Sequence, residues 1–365
     1  MGKKRINVGI LFGGKSAEHE VSLQSAKNVI DALDKDRYRP VLIGIDKSGK
    51  WYLNNRSTFL LNADNPWLIQ LNKSVDSVAL VPQSEGKISN LSGDNLKERV
   101  DVVFPILHGT FGEDGTVQGL LKLADIPFVG AGVLGSAVGM DKDIMKRLLR
   151  DANVPIGRFI VCRAEERLPE YGEACEKLGL PFFVKPANMG SSVGVHKVTG
   201  EGGFQEALSD AFQYDSKIVI EEFIEGREIE CSVLGNNDPV ASVPGEVIAT
   251  HEFYSYEAKY IDEDGASLEI PAKLSQHIAD RVRELAVITF KTLSCEGLAR
   301  VDFFLKRDEV IVNEINTIPG FTSISMYPML WKASGISYTH LIDRLIQLAF
   351  ERYEREKKLK TSYGT

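Results

Sequence analysis

The stretch of sequence that most constrains the fold is Leu298–Asn316, LARVDFFLKRDEVIVNEIN, which predicts a β-hairpin. Two apolar runs, Leu298–Leu305 and Val310–Ile315, have the composition of strands, and the charged residues 306–309 between them supply a turn. Folding the chain about that turn sets the two strands antiparallel, so that side chains of one strand stand opposite side chains of the other.

One face of the predicted hairpin carries oxygen ligands. Asp302 shares its face with Arg300 and comes nearly opposite Glu314, at a Cβ separation of about 5 Å. Two carboxylates that close repel each other unless a cation lies between them. Asn316 adds a neutral oxygen, and such a set suits Mg²⁺, which shares its other positions with waters and nucleotide phosphates. The alternative is a surface hairpin whose acids are solvated. The Pro-Gly loop 317–322, which leaves the hairpin at the end with the oxygen ligands, argues against this alternative.

Composition bounds the class of protein. A chain of 365 residues suffices for two or three domains, and its hydrophobic content of 43% can fill sizeable cores. The net charge of −8 argues against a nucleic-acid partner. The four cysteines form no CxxC pair, which argues against a disulfide framework or a zinc site. No run approaches the ~20 apolar residues of a membrane span, and the first residues lack the features of a signal peptide, so we expect a soluble cytoplasmic α/β protein.

The first part of the chain predicts the opening of a doubly wound sheet. A buried strand over Ile6–Phe12 ends at a glycine pair, and an amphipathic helix and a second strand, Tyr38–Asp46, follow. The dinucleotide fingerprint GxGxxG is absent, and the polar residues 54–99 predict loops and short strands. A third strand, 100–107, ends in HGTFGEDG, whose glycines suit close backbone approach. For His108, a packing role in this loop is as good an interpretation as a functional one.

Three later segments bear on binding. A strand that carries Lys185 precedes the Gly/Ser-rich loop 188–195, whose N–H groups can cradle a phosphate, although an ordinary hairpin turn is the alternative. It is not a Walker loop, because the lysine precedes the glycines. The helix predicted over Asp141–Ala152 is basic, and we expect a solvated face for its charges. The aromatic and charged residues 250–266 follow neither period, which is typical of a lid or of disorder.

Five motifs, in chain order, resemble those of the D-alanine–D-alanine ligases. They are GGKSAEHEVSL at 13–23, HGTFGEDGTVQG at 108–119, FVKPANMGSSVG at 183–194, YEAKY at 256–260 and ARVDFF…VNEINTIPGF at 299–321. The resemblance covers nearly the whole chain and implies the ATP-grasp fold, an α/β (α+β) architecture. It implies a Rossmann-like domain at 1–128, a central domain at 129–218, and a C-terminal domain at 219–365 with a mobile loop, 250–266.

The resemblance also implies a reaction. Two D-alanine molecules and ATP would give D-alanyl-D-alanine, ADP and phosphate for peptidoglycan, through a D-alanyl phosphate. Two Mg²⁺ ions, for which Mn²⁺ can substitute, would be held by Asp302, Glu314 and Asn316. Catalysis would rest on positioning and charge stabilisation, as in other phosphoryl transfers. The family also implies a homodimer, with neither a nucleic acid nor a membrane as partner.

Further roles are implied residue by residue. Glu221 would accept from the adenine amino group, and Glu228 would hold the ribose; position 222 is glutamate where some relatives have lysine. The residues implied to bind ATP are Lys142, Lys185, Ser191, Ser192, Val193, Glu221, Glu222, Phe223, Ile224 and Glu228. Those implied to bind D-alanine are Glu18, for its ammonium, and His108, Lys259, Gly320 and Ser325. Those implied in catalysis are Glu18, Ser191 and Tyr260, which would be linked on closure, and Arg300, which would stabilise the oxyanion.

Three other functions compete with this one. A D-alanine–D-lactate ligase has the same fold, but Tyr260 argues against it because that specificity goes with another residue at this position. A non-catalytic nucleotide-binding regulator would be expected to lose its metal ligands first, and Asp302 and Glu314 are present. A dehydrogenase is disfavoured further, since the glycine fingerprint is absent.

Overall fold

The computed structural model describes residues 5–66, 68–74, 76–91, 98–249, 266–360 and 362–363. The strands are β1 Ile6–Gly13, β2 Tyr38–Ile45, β3 Trp51–Asn54, β4 Leu60–Leu61, β5 Gln70–Leu71, β6 Val78–Leu80, β7 Ile88–Asn90, β8 Val102–Ile106, β9 Phe159–Arg163, β10 Phe182–Pro186, β11 His196–Val198, β12 Lys217–Glu222, β13 Arg227–Gly235, β14 Val240–Ala241, β15 Gly245–Ala249, β16 Ala266–Glu269, β17 Gly297–Lys306 and β18 Glu309–Asn316. The helices are α1 His19–Ala32, α2 Thr116–Leu123, α3 Val133–Met140, α4 Lys142–Asp151, α5 Tyr171–Leu178, α6 Phe204–Ala211, α7 Gln276–Thr292, α8 Met326–Ala333 and α9 Tyr338–Glu356, with a 3₁₀ turn at Glu201–Gly203. Within these ranges, no helix is both long and apolar enough to cross a membrane.

The N-terminal sheet has the strand order β3-β2-β1-β8. β1 pairs in parallel with β2 and β8, and β3 adds an antiparallel edge. The turn after β1 requires Gly13, whose φ is +91° and whose added Cβ would lie 2.2 Å from the carbonyl oxygen of Ile45. Ser22 on α1 accepts from the Gly13 N–H at 2.7 Å and donates to the Ile106 carbonyl, which fixes the helix against both strand ends. The predicted opening of a doubly wound sheet is confirmed.

The second sheet, in the order β11-β10-β12-β9, is antiparallel throughout. α5 and α6 cover it, and their core is built around Phe182 and Phe204, whose rings meet edge to face at 5.6 Å. β12 pairs with β10 and β9, so this sheet continues to Glu222. The predicted boundary between 218 and 219 therefore falls within a strand of this sheet.

The third sheet has the order β16-β15-β13-β17-β18, with β14 on the far end of β13. α7 packs on its core together with Met145 and Leu149 of α4. Residues early in the predicted central domain thus contribute to the core of the C-terminal sheet.

The predicted hairpin is confirmed as β17 and β18. Asp302 pairs with Glu314, and Arg300 pairs with Asn316. The register shifts directly after Asp302, where Asn313 is the extra residue of a bulge. The bulge leaves the two acids opposite each other at the end of the hairpin from which the Pro-Gly loop departs.

The N-terminal sheet and the C-terminal helices share one hydrophobic core. Phe104 of β8 meets Phe321 edge to face at 5.7 Å, and Leu345 of α9 belongs to the same cluster. Arg352 of α9 is buried; it donates to the carbonyls of Phe128, at 2.7 Å, and Gly130, and its guanidinium lies 4.3 Å from the Phe128 ring. The last helix therefore fastens the first domain to the last.

Replacing Arg352 by methionine should test this attachment. The change leaves two buried carbonyls without their donor, and we expect the free energy of unfolding to fall by about 2–4 kcal/mol. Urea denaturation measures the difference. Arg344→Met, on the same helix with a side chain 37% exposed, is the control and should change stability by less than about 0.5 kcal/mol. Equal effects of the two substitutions would contradict the attachment.

Candidate active site

A cavity of about 410 Å³ lies between the second and third sheets and is also lined by Glu18 and Glu113 of the N-terminal domain; most of the predicted site residues line it. Those that do are Glu18, Lys142, Lys185, Ser191, Ser192, Glu221, Glu222, Phe223, Ile224, Glu228, Arg300, Asp302, Glu314, Asn316, Gly320 and Ser325. His108 and Val193 are not among its described lining residues. Lys259 and Tyr260 lie outside the described residues, as does the predicted mobile loop over 250–265.

The acidic end of the cavity is organised by Arg300. Its Nε donates to Asp302 Oδ1 and its Nη2 to Asp302 Oδ2, both at 2.7 Å. Its Nε also lies 2.9 Å from Glu230 Oε2, and Asn316 Nδ2 donates to Asp302 Oδ2 at 3.2 Å. Paired across the strands, Asp302 and Glu314 need a cation nearby, and in this arrangement the guanidinium supplies positive charge.

The side chains at the acidic end of the cavity can also be considered as ligands of a metal ion. The described residues contain no cluster of three histidine, cysteine or acidic side chains arranged to hold an ion. Two carboxylates and an amide, Asp302, Glu314 and Asn316, nevertheless line one end of the cavity. All-oxygen donors of this number fit Mg²⁺, which usually completes its octahedron with waters and phosphate oxygens.

Three largely buried charged side chains, Lys146, Lys185 and Glu221, lie together beside another wall of the cavity. Lys185 Nζ lies 2.5 Å from Glu221 Oε2, and Lys146 Nζ lies 3.3 Å from Glu221 Oε1. Burial alone would raise the pKa of Glu221, but the positive charges of Lys146 and Lys185 outweigh burial and hold that pKa below its ordinary value. Burial lowers the pKa of Lys146 and of Lys142. The negative charge of Glu221 opposes this effect and favours the charged form of both lysines.

The Gly/Ser-rich loop beside these lysines has a constrained backbone. Ser191 and Ser192 take φ values of +52° and +61°, in the left-handed region that side chains disfavour. The Ser191 Oγ is buried and has no hydrogen bond within the ranges that the structure describes. Lys142 Nζ donates to the Met189 carbonyl at 2.6 Å and holds the loop to α4. Consecutive N–H groups in such a turn are suited to an anion.

Glu222 has a partner of its own at the other side of β12. Its Oε1 accepts from the Arg158 backbone N–H at 2.6 Å, and its Oε2 accepts from Arg158 Nε at 2.7 Å. Phe223 stacks at a tilt on Phe183, with ring centroids 6.1 Å apart. Ile224 lies close to Gly157, where an added Cβ would be 3.1 Å from its Cδ1. This side of the cavity therefore combines the apolar side chains of Phe223 and Ile224 with the ion pair of Glu222 and Arg158.

Glu113 fixes the glycine-rich loop after β8. It accepts from the N–H of Gly109 at 2.6 Å and from the N–H of Ile318 at 3.0 Å, which joins this loop to the Pro-Gly loop. Burial, together with the negative charge of Glu18, raises the pKa of Glu113 to about 8 against the effect of the two N–H donors. An added Cβ at Gly109 would lie 3.0 Å from Glu18 Oε2, and the backbone φ of +70° also favours glycine at this position.

His108 joins the same two loops. Its Nδ1 lies 2.9 Å from the Ile318 carbonyl and its Nε2 lies 3.4 Å from Ser25 Oγ, which accepts from the Phe321 N–H. Burial lowers its pKa. The contacts favour the packing interpretation of His108.

The far end of the Pro-Gly loop brings Gly320 beside Ser325. The Ser325 Oγ accepts from the Thr322 N–H at 3.0 Å and lies 2.7 Å from the Thr322 Oγ1. An added Cβ at Gly320 would lie 2.7 Å from the Ser325 Oγ. The loop therefore presents a backbone N–H and a hydroxyl within one tight turn.

The sequence did not single out three residues of this site: Lys146, Glu113 and Glu230. The solvated face expected for the basic helix is wrong for Lys142 and Lys146, which are buried. The two lysines lie four residues apart, which puts them on one face of the helix. This spacing could have indicated that they act together. Glu230 comes next to Asp302 only because β13 pairs with β17, and this pairing of strands distant in the sequence cannot be predicted from local patterns.

Two protein-family models match the chain. The model described as D-ala D-ala ligase N-terminus matches residues 7–131, and the model described as D-ala D-ala ligase C-terminus matches residues 148–347. Together they cover most of the sequence.

Curated relatives match over nearly full length. A D-alanine–D-alanine ligase of Shouchella clausii (strain KSM-K16) is 58% identical over 365 residues, which is 99% of both chains. A D-alanine–D-alanine ligase of Oceanobacillus iheyensis is 56% identical over 358 residues, covering 97% of this chain and 98% of the relative.

Solved structures share the fold. The D-alanine–D-alanine ligase of Coxiella burnetii has a TM-score of 0.84 at 36% identity, covering 97% of this chain and 96% of that one. The VanG D-Ala:D-Ser ligase of Enterococcus faecalis has a TM-score of 0.83 at 34% identity, covering 95% and 100%. The Bacillus anthracis D-alanine–D-alanine ligase complexed with ATP has a TM-score of 0.73 at 29% identity, covering 96% and 99%. The ATP-grasp fold expected from the sequence is confirmed.

Replacing Lys146 by methionine should show what the buried lysine does. The variant keeps an unbranched side chain but removes one cation beside Glu221, so we expect the free energy of unfolding at pH 8 to fall by about 3 kcal/mol. The native pKa of Glu221 lies below its unfolded value, so its charge stabilises the wild type above the unfolded pKa, and that stability is lost as pH falls through the native pKa.

In the variant the native pKa of Glu221 should rise, and protonation of this carboxylate at acidic pH should relieve much of the loss. Urea denaturation at pH 8 and pH 5 measures both values. Arg150→Met, at an exposed position of the same helix, is the matched control. A deficit of the same size at both pH values would contradict an electrostatic role for Lys146.

Proposed function

The chain belongs to the D-alanine–D-alanine ligase family, and from that premise we propose that it joins two D-alanine molecules into D-alanyl-D-alanine with ATP, releasing ADP and phosphate for peptidoglycan synthesis. The observation that carries the proposal is the pairing of Asp302 with Glu314 beside Arg300 at one end of a cavity whose other wall holds buried lysines. A nucleoside triphosphate needs both features, because its phosphates carry negative charge and bind metal.

Under this proposal ATP lies between the second and third sheets. Lys142 and Lys185 would face the phosphates, and the backbone N–H groups of Ser191 to Val193 would close over the γ-phosphate. Glu221 would accept from the adenine amino group, beside Phe223 and Ile224. The lining of the cavity by these lysines, serines and apolar side chains supports this placement.

Asp302, Glu314 and Asn316 would hold two Mg²⁺ ions, or Mn²⁺ in their place. Bound there, the ions would neutralise the charge of the phosphate oxygens and make the γ-phosphorus more electrophilic. Arg300 bonds to Asp302 in the structure, so it must share or release that carboxylate when a metal binds.

The first step forms an acyl phosphate. A carboxylate oxygen of the first D-alanine attacks the γ-phosphorus, and the bond from phosphorus to the oxygen of ADP breaks. Glu18 would bind the ammonium of this D-alanine, and its position between the loops of Gly109 and Gly190 supports that role. Holding the carboxylate in line with the phosphorus supplies much of the acceleration in reactions of this kind.

The second step forms the peptide. The amine of the second D-alanine, having lost a proton, attacks the carbonyl carbon, and phosphate leaves from the tetrahedral intermediate. Arg300 and the Gly320 N–H would stabilise the oxyanion, and Ser325 with Lys259 would receive the second carboxylate. Tyr260 would close the site over Ser191 and Glu18. The proximity of Gly320 to Ser325 supports a common site for oxyanion and carboxylate.

The function is tested by phosphate release from ATP with D-alanine, L-alanine, D-serine or D-lactate as acceptor, with the product identified by mass spectrometry. Of these acceptors, only D-alanine should give rapid phosphate release, and the product should be D-alanyl-D-alanine. Faster ester formation when D-lactate accompanies D-alanine would point to the depsipeptide ligase, and no release with any acceptor would overturn the proposal.

Asp302→Asn tests the acidic end of the cavity. The change removes one charge from the proposed ion clamp, and we expect turnover at saturating Mg²⁺ to fall by about 10²-fold or more. Asp308→Asn makes the same substitution in the exposed turn of the same hairpin and should leave turnover unchanged. Wild-type turnover in Asp302→Asn would exclude this carboxylate from the reaction.

A further inference from the structure

Glu230 forms part of a row of three carboxylates on one face of the third sheet. In the strand register it stands directly opposite Asp302, and Asp302 stands directly opposite Glu314 on the next strand. Glu230 also lines the cavity. It is neither one of the proposed metal ligands nor one of the proposed substrate groups, so the row contains one acid more than the proposed chemistry uses.

The guanidinium of Arg300 lies between two of these acids. It binds Asp302 through two hydrogen bonds of 2.7 Å, and its Nε lies 2.9 Å from Glu230 Oε2. The side chains of Arg300, Asp302 and Glu230 are only 19%, 14% and 12% exposed. Ionic contacts at such positions are screened much less than those on the surface.

Two demands on Asp302 conflict. As a metal ligand it must turn oxygen lone pairs toward a divalent cation, and a cation there repels the guanidinium that now occupies both oxygens. Arg300 must nevertheless stay at the site, because the oxyanion forms there in the second step. A second carboxylate beside Arg300 resolves the conflict, and Glu230 is placed to be that carboxylate.

We infer that Glu230 is a positioning residue that retains Arg300 when Asp302 turns to the metal. It lowers the cost of releasing Asp302, and it keeps the guanidinium aimed at the oxyanion. The inference rests on the proposed function and concerns the same site.

Two other roles for Glu230 predict a different dependence of metal affinity on Arg300. A direct metal ligand would act on metal affinity whether or not Arg300 is present. A purely structural ion pair would act on stability alone, as expected of Arg227 and Glu246, which form a two-bonded pair in the same sheet. Glu246 is buried and absent from the described cavity lining, so Glu246→Gln is a matched control.

The experiment measures Mn²⁺ affinity by electron paramagnetic resonance of the free ion, with ADP present. The proteins are the wild type, Glu230→Gln, Arg300→Met, the double variant and Glu246→Gln. We expect Glu230→Gln to weaken Mn²⁺ binding by about 10-fold, a coupling common within one ionic network. In the Arg300→Met background the same change should alter affinity by less than about 2-fold, and Glu246→Gln should bind like the wild type.

Turnover supplies the second measurement. At saturating Mg²⁺, Glu230→Gln should lower kcat by about 10-fold or more while leaving KM for ATP nearly unchanged, because Arg300 acts on the oxyanion rather than on bound ATP. Glu230→Asp, which keeps the charge, should recover part of the loss. Thermal denaturation of each variant shows whether it is folded.

Two results would overturn the inference. An undiminished effect of Glu230→Gln in the Arg300→Met background would make Glu230 a direct ligand or a long-range charge. Wild-type metal affinity and kcat in Glu230→Gln would make it a bystander. Failure of the wild-type protein to bind Mn²⁺ with ADP at all would instead count against the proposed function.

Discussion

The antiparallel pairing of β13, β17 and β18 places Glu230, Asp302 and Glu314 side by side, and the remaining features of the site depend on it. Like charges this close destabilise a sheet unless cations compensate them. Arg300 supplies that compensation in the structure, and metal ions and phosphates would change how it is shared. Under the proposed function the site would alternate between two arrangements of the same charges, which suits a reaction that must bind and release a highly charged nucleotide.

At the opposite wall of the cavity the charges are reversed, and positive side chains gather around one carboxylate. Lys142, Lys146 and Lys185 are held close together and mostly out of water, with Glu221 between two of them. Such a cluster keeps cations fixed before the substrate arrives, so little reorganisation is needed when charge develops. The shared core of the N-terminal sheet and α9, fastened by Arg352, supports the glycine-rich loop, from which Glu113 lines the cavity.

Local patterns allowed the hairpin to be predicted, because alternation and a charged turn are properties of neighbouring residues. Its register, with Asp302 opposite Glu314, followed from the same information. Lys146 and Glu230 could not be assigned in this way, since their roles depend on partners brought near by the fold. The pairing of β12 with strands earlier in the chain is likewise a property of the fold, and the predicted boundary at 218 falls within that strand. The five sequence motifs, rather than periodicity, indicated the roles of Glu18, Ser325 and their neighbours, and these roles remain proposals.

The most direct test of the account is a crystal structure with ADP and Mn²⁺, in which anomalous scattering locates the metal. We expect a manganese peak between Asp302 and Glu314, about 2.1 Å from oxygens of both carboxylates, with Arg300 turned from Asp302 toward Glu230. A manganese peak on the nucleotide alone, with Arg300 still bonded to both oxygens of Asp302, would contradict it.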